Sequence, residues 1–213
     1  WVTPGQLDEI PLPAANRPIV RAIQLPQQYL VTPDLSDSRQ LYQGVMAAAA
    51  GGSRLIQLRT PQLERADYLK LADRLLADLP DTAMLLLKGE LPDLLTRPQA
   101  GWHLTSAQLR AFAGQERPLP ANRWLAASCH DAEELALAGT LVCDFATLSP
   151  VLPTASHPDA PALGLELATE LTAAAQLPVF WLGGMQASDL EHVCASGGQG
   201  IAAIRGLWEA ELL

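Results

Sequence analysis

From Gln28 onward, short apolar runs alternate with alanine- and leucine-rich stretches whose apolar residues recur at helical spacing. That alternation is the signature of repeated βα units. Eight runs read as strands: Gln28–Thr32, Arg54–Leu58, Ala83–Leu87, Gly101–Leu104, Trp124–Ser128, Phe145–Leu148, Val179–Leu182 and Gly200–Ile204. Most neighbours lie roughly 18 to 30 residues apart, about what one strand, one helix and two tight loops consume. The stretches between them carry helix punctuation. Ser36 or Asp37 can cap a helix that runs through Met46 and Ala50 to Gly51-Gly52, where glycine supplies a left-handed end. Asp131 with Glu134, and Ser188 with Glu191, have the spacing of a capping box. Tyr68, Leu71, Leu75 and Leu79 form one helix face, with Asp67, Lys70, Asp73 and Arg74 on the other. Eight strands, each followed by a helix, predict an α/β fold of the (β/α)8 TIM-barrel type rather than a doubly wound sheet of about five or six strands. A span of about 185 residues is small for such a barrel, so its loops must be short.

Residues 1–25 fall outside the repeat. Pro4, Pro11, Pro13 and Pro18 interrupt them, and only Arg17–Ile23 has room for a helical turn or two. The predicted organisation is therefore a tail, 1–25, and a barrel domain, 26–213. Charge narrows the partners. With 23 acidic and 14 basic residues the net charge is -9, and only two of the basic residues, Lys70 and Lys88, are lysines. Such a surface is not built for nucleic acid, and any phosphate must be held locally. No apolar run approaches the roughly 20 residues of a membrane span and no basic-then-apolar leader opens the chain, so the cytoplasm is the expected compartment. Cys129, Cys143 and Cys194 are odd in number and lack CxxC spacing. They read as reduced thiols, not as a disulfide framework or a zinc site.

In a barrel of this kind function sits in the loops after the carboxyl ends of the strands. Taken in order, those positions supply Asp34, then Gln57 and Arg59, then Lys88 and Glu90, then His103 and Ser106, then Ser128 and His130. The loop after the sixth strand, residues 148–158, is rich in hydroxyls and prolines. The seventh strand ends in Gly183-Gly184 and the eighth runs into Ile204-Arg205, which would begin the last helix. Phosphate sites in barrels are commonly assembled there from backbone N–H groups, and Thr154 and Ser156 can add hydroxyls.

The ordered segments Tyr29-Leu-Val-Thr32, Gln57-Leu-Arg59, Gly101-Trp-His-Leu104, Ser128-Cys-His130, the sixth-loop Ser149-Pro-Val-Leu-Pro-Thr154-Ala-Ser156, Leu182-Gly-Gly184 and Gly200-Ile-Ala-Ala203 resemble the thiamine-phosphate synthase family, which includes the thiazole tautomerases of the TenI group. The resemblance covers residues 28–208. It implies a phosphorylated small-molecule substrate: synthases of this family join a pyrimidine diphosphate to a thiazole phosphate with magnesium assisting, and the tautomerases isomerise the thiazole ring. Carried over, Gln57 and Arg59 match the motif that meets the diphosphate, and Ser128 matches the fifth-strand serine. Thr154 and Ser156 match a Thr-x-Thr pair, while Gly164, Gly183 and Gly184 match phosphate-side glycines. Where the family has a lysine this chain has Pro61, and where it has Asn-Asp after strand three it has Lys88-Gly89. Gln108 replaces an acid, His157 replaces the sixth-loop lysine, and Arg205 replaces a small serine. Two magnesium ligands and two diphosphate lysines are thus absent, although Glu90 lies one residue from the missing acid. No cofactor is expected except Mg2+, and that only if synthase chemistry is retained. If active, the domain would be a synthase-like transferase or a thiazole tautomerase.

Among the histidines, His130 is the candidate acid–base residue, with a hydrogen bond across the barrel mouth as its structural alternative. His103 alternates with apolar neighbours and reads as a core histidine. His157 either donates to a phosphate or rests in its loop, and His192 falls on a solvated helix face. Trp102 and Trp181 either flank a ring or fill the core. The tail Leu7-Asp-Glu-Ile-Pro-Leu-Pro-Ala-Ala-Asn16-Arg-Pro-Ile-Val-Arg-Ala-Ile23 is similar to the last segment of MutT-type Nudix hydrolases, with Asn16 at the purine-reading position. Together with a start at Trp1, this leads us to expect a fragment of a fusion with a Nudix domain in cis. Two functional readings follow: a domain acting on or binding a thiazole phosphate, or a non-catalytic barrel that binds a phosphorylated metabolite and serves a Nudix 8-oxo-dGTP diphosphatase.

Overall fold

The computed structural model describes residues 1–154 and 161–208. Eight parallel strands close into a barrel in chain order: β1 Gln28–Val31, β2 Leu55–Leu58, β3 Met84–Leu87, β4 Gly101–Leu104, β5 Leu125–Cys129, β6 Phe145–Leu148, β7 Val179–Leu182 and β8 Gly200–Ala203. β8 pairs with β1 through Tyr29 opposite Ala202, which leaves no exposed sheet edge. The (β/α)8 expectation holds, with strand ends differing from the predicted runs by one residue at most. Eight α-helices are described: α1 Arg17–Gln24, α2 Ser38–Ala50, α3 Arg65–Asp78, α4 Leu91–Leu95, α5 Ser106–Ala111, α6 Ala132–Thr140, α7 Leu165–Ala174 and α8 Leu190–Ala195. The first precedes β1 and the other seven follow β1 to β7. After β8 the described residues form a turn, in which Trp208 N–H donates to Ile204 at 3.1 Å, and not the start of a helix at Arg205.

Local signals explain most helix ends. Asp37 caps α2 by accepting the N–H groups of Arg39 and Gln40, and Gly52 takes the left-handed conformation, φ 107°, behind it. Asp131 caps α6 by accepting the N–H of Glu134 at 2.8 Å. The expected Ser188–Glu191 box does not form. Gln186 and Asp189 make it instead around a short 3-10 turn, and α8 starts two residues later than Ser188 with Asp189 as its N-cap.

Alternation along each strand sorts the apolar residues into two layers. Tyr29, Leu55, Leu86, Ala126, Phe145, Phe180 and Ala202 point into the barrel and fill it. Leu30, Ile56, Leu58, Leu85, Leu87, Trp102, Leu125, Ala127, Leu148 and Trp181 point outward and carry the helices. Three inner aromatics interlock, with ring centroids 5.3 Å apart for Tyr29–Phe145 and for Phe145–Phe180. The barrel is solid below and can open only at its carboxyl end.

Its amino end is closed by α1, which the sequence reading set apart in the tail. Leu25 joins the inner layer. Arg17 and Arg21 donate to Asp144 Oδ1 at 2.7 and 2.8 Å, and Arg117 donates to Oδ2 at 2.7 Å. Asp144 also accepts the backbone N–H of Leu125 at 2.8 Å, and its side chain is fully buried. A carboxylate taken out of water survives only when so completely partnered.

Candidate active site

The carboxyl end holds a cavity of about 1110 Å³. The same alternation that builds the core aims its walls. On β2 the inward parity that places Leu55 in the core places Gln57 and then Arg59 above it, and on β3 it places Lys88 above Leu86. Ser128 and His130 follow Ala126, and Thr147 and Ser149 follow Phe145, by the same rule. Leu182, Gly183, Gly184, Ile204, Arg205 and Gly206 close the far side. Of the residues predicted for the site, Gln57, Arg59, Ser128, His130, Thr154, Gly183, Gly184, Ile204 and Arg205 all line this one cavity. Ser156 and His157 lie outside the described residues. Gly164 stands away from the lining: at φ 78° it is the N-cap of α7, and its N–H donates to Val151 at 3.0 Å, so its backbone is spent on joining loop to helix.

The floor is a neutral polar layer. His103 is buried between Tyr29, whose hydroxyl lies 2.8 Å from Nδ1, and Ser128, whose hydroxyl lies 3.0 Å from Nε2. Burial, and then the charge of Lys88, push its pKa down to about 3. It is the core histidine the sequence pattern suggested, kept uncharged.

His130 is held differently. It is exposed, and its Nδ1 lies 2.6 Å from the Ser149 carbonyl oxygen. A carbonyl only accepts, so Nδ1 carries the hydrogen and Nε2 keeps the lone pair when the ring is neutral. Its backbone N–H donates to Glu134 at 2.7 Å, and Glu134 in turn accepts from Ser106 and Arg110. The ring is thereby fixed in place from two sides.

The glycine pair has a steric origin. Gly183 and Gly184 have φ of 97° and 68°, and a Cβ on them would lie 2.8 Å from Pro150 Cα and 2.7 Å from Leu152 Cβ. The loop after β6 therefore lies directly on the end of β7, with Val151 N–H donating to Leu182 and Leu152 N–H to Gly183. Among the described residues, no acceptor takes the backbone N–H groups of Gly184, Arg205 or Gly206.

Three features escaped the sequence reading. Lys88 faces the cavity, half-buried, where it had registered only as a departure from a motif. Thr147 lines it from β6. Strand parity was the signal for both. By that parity Trp102 and Trp181 face outward: their indole N–H groups donate to the Gly89 carbonyl at 3.0 Å and to Thr172 at 2.8 Å, so both fill the core and neither flanks the cavity.

The lining has one sign of charge. Arg59, Lys88 and Arg205 line it, and among the described residues no aspartate or glutamate does, in a chain with 23 acidic residues. Burial, and then Arg59, hold the Lys88 ammonium below the ordinary lysine range. Glu90, the candidate substitute metal ligand, is exposed and outside the lining, where its carboxylate accepts from the Gln108 amide at 3.2 Å. Among the described residues no three His, Cys, Asp or Glu side chains are grouped to hold a metal ion. The donor set does not fit Mg2+, which takes hard oxygen ligands that include carboxylates.

Comparison with known proteins adds an independent line. A family profile described as thiamine monophosphate synthase matches residues 28–207. The thiamine-phosphate synthase of Syntrophomonas wolfei is 30% identical over 190 residues, 85% of this chain and 88% of its own. That of Methanoculleus marisnigri is 32% identical over 159 residues, 74% of this chain and 75% of its own. A thiamine phosphate pyrophosphorylase from Pyrococcus furiosus shares the fold with a TM-score of 0.63 at 19% identity, over 94% of this chain and 92% of its own. No helix among the described residues is long and apolar enough to cross a membrane.

Proposed function

Because this chain belongs to the thiamine monophosphate synthase family, we propose that its barrel binds the phosphate ester of a thiazole in thiamine biosynthesis and, as a thiazole tautomerase of the TenI type, moves a proton on the ring through His130. The observation that carries this reading is the pairing of two features across one cavity. The free N–H groups of Gly184, Arg205 and Gly206, with Arg205 beside them, suit a phosphate monoester. His130, locked by Ser149 with Nε2 as an acceptor, suits proton abstraction from a ring held by that phosphate. Neither part calls for a divalent ion. Titration calorimetry with a thiazole phosphate tests the binding, and absence of heat at millimolar ligand would end the proposal. His130→Ala then tests the chemistry: turnover should drop about 100-fold or more with affinity nearly unchanged.

A second reading is supported by the missing carboxylates. Without them the barrel binds its phosphorylated metabolite and performs no diphosphate displacement, as an accessory to a Nudix domain in cis. The likeness of the tail to MutT-type hydrolases is its other support. Binding without any turnover favours it.

A further inference from the structure

The cationic wall opposite the glycines has no partner in the reading above. β2 and β3 pair with Leu58 opposite Leu87, and Lys88 N–H donates to Leu58 at 3.3 Å, so the next residues, Arg59 and Lys88, stand side by side one strand spacing apart. Both side chains face the cavity. Neither forms an ion pair among the described residues. The position of Lys88 is fixed, not incidental, because its backbone N–H is also held by the Tyr68 hydroxyl at 3.0 Å. The ammonium reaches inward, since its charge bears on buried His103. Burying two like charges together without an acid is costly in the free protein, and an anion placed between them removes the cost.

We propose that Arg59 and Lys88 form a second oxyanion subsite at the carboxyl ends of β2 and β3, in which the Lys88 ammonium does the work of a divalent cation and the anion is held without metal. In the closed order β2 and β3 lie across the barrel from β7 and β8, and the cavity between them is large enough for one elongated ligand. The substrate class is therefore a molecule with a phosphate at the glycine end and a second oxyanion, such as another phosphate or a carboxylate, at the other. This deepens the proposed function and rests on it only for the phosphate end. Arg59 offers a planar fork for two oxygens, whereas Lys88 is a compact point charge that needs no protonation change to act.

Inorganic pyrophosphate is the probe. Calorimetry in EDTA and again in excess Mg2+ should show binding in both, with little gain from the metal. Lys88→Ala should weaken pyrophosphate at least about tenfold in EDTA, while thiazole phosphate affinity shifts by less than about twofold. Lys88→Arg should restore most of the pyrophosphate affinity, and it also covers any folding defect in the alanine variant. Binding that requires Mg2+, or pyrophosphate affinity indifferent to Lys88→Ala, would overturn the proposal. If thiazole phosphate fails to bind but pyrophosphate binds through Lys88 without metal, the subsite stands and the thiazole assignment falls.

Discussion

The two ends of the barrel are both rich in arginine and treat it in opposite ways. At the amino end Arg17, Arg21 and Arg117 converge on one buried carboxylate, Asp144. At the carboxyl end Arg59, Lys88 and Arg205 line an open cavity that no acid among the described residues shares. The first arrangement is complete in the folded chain. Asp144 accepts four hydrogen bonds, one of them from the β5 backbone, so the network locks α1 and the following loops to the barrel. The second is incomplete, and its missing member must come from solution. Charge compensation, more than charge, separates a structural cluster from a binding site here, because an unpaired charge is stable only where water or a ligand can reach it.

Breaking the compensated end should have the largest effect. Asp144→Ala leaves three guanidinium groups facing a void, and urea unfolding should show a loss of about 3–5 kcal/mol. A loss below about 1 kcal/mol would mean that solvent already screens the cluster.

The neutral floor between the two ends provides an intermediate effect with a pH signature. In the unfolded chain His103 takes up a proton near its ordinary value of 6.5, while the folded chain holds it down to about 3. The unfolded state therefore binds more protons between these values. Stability contributed by the neutral imidazole is fully present above about pH 6.5 and declines as pH falls toward 3, by up to about 1.4 kcal/mol per pH unit. His103→Gln should flatten this slope in urea titrations between pH 7.5 and 4.5. Parallel slopes for the two proteins would remove His103 as the cause.

The uncompensated end should give the smallest change in stability. Arg59→Ala should move the unfolding free energy by no more than about 0.5 kcal/mol, since no acid loses a partner, yet it should weaken pyrophosphate about tenfold. A large destabilisation would place Arg59 with the structural arginines and erase the contrast between the two ends.

Much of this was legible in the chain. The spacing of apolar runs located all eight strands, because a βα repeat imposes its length on the sequence, and the strand ends then delivered Gln57, Arg59, Ser128, His130 and Gly183 to one cavity. Caps that depend on residues three apart were readable where the side chain is short and acts locally, as at Asp37 and Asp131. Ser188 misled because Gln186 and Asp189 satisfy the same N–H groups equally well. Lys88 was visible as a residue but not as a cavity cation. That role required knowing which face of β3 is inside, and four-residue strands are too short for their own pattern to settle it when Leu85, Leu86 and Leu87 are all apolar.

What the sequence by itself determined is the order of elements and the kinds of side chain available at each strand end, since both are local and follow from periodicity and residue chemistry. The tertiary structure alone decided which charges are paired. Asp144 meets Arg17 and Arg21 across 127 and 123 residues of chain, whereas Arg59 and Lys88 meet each other and no acid. Contacts at such separations are set by barrel closure and register, which leave no trace in a linear pattern.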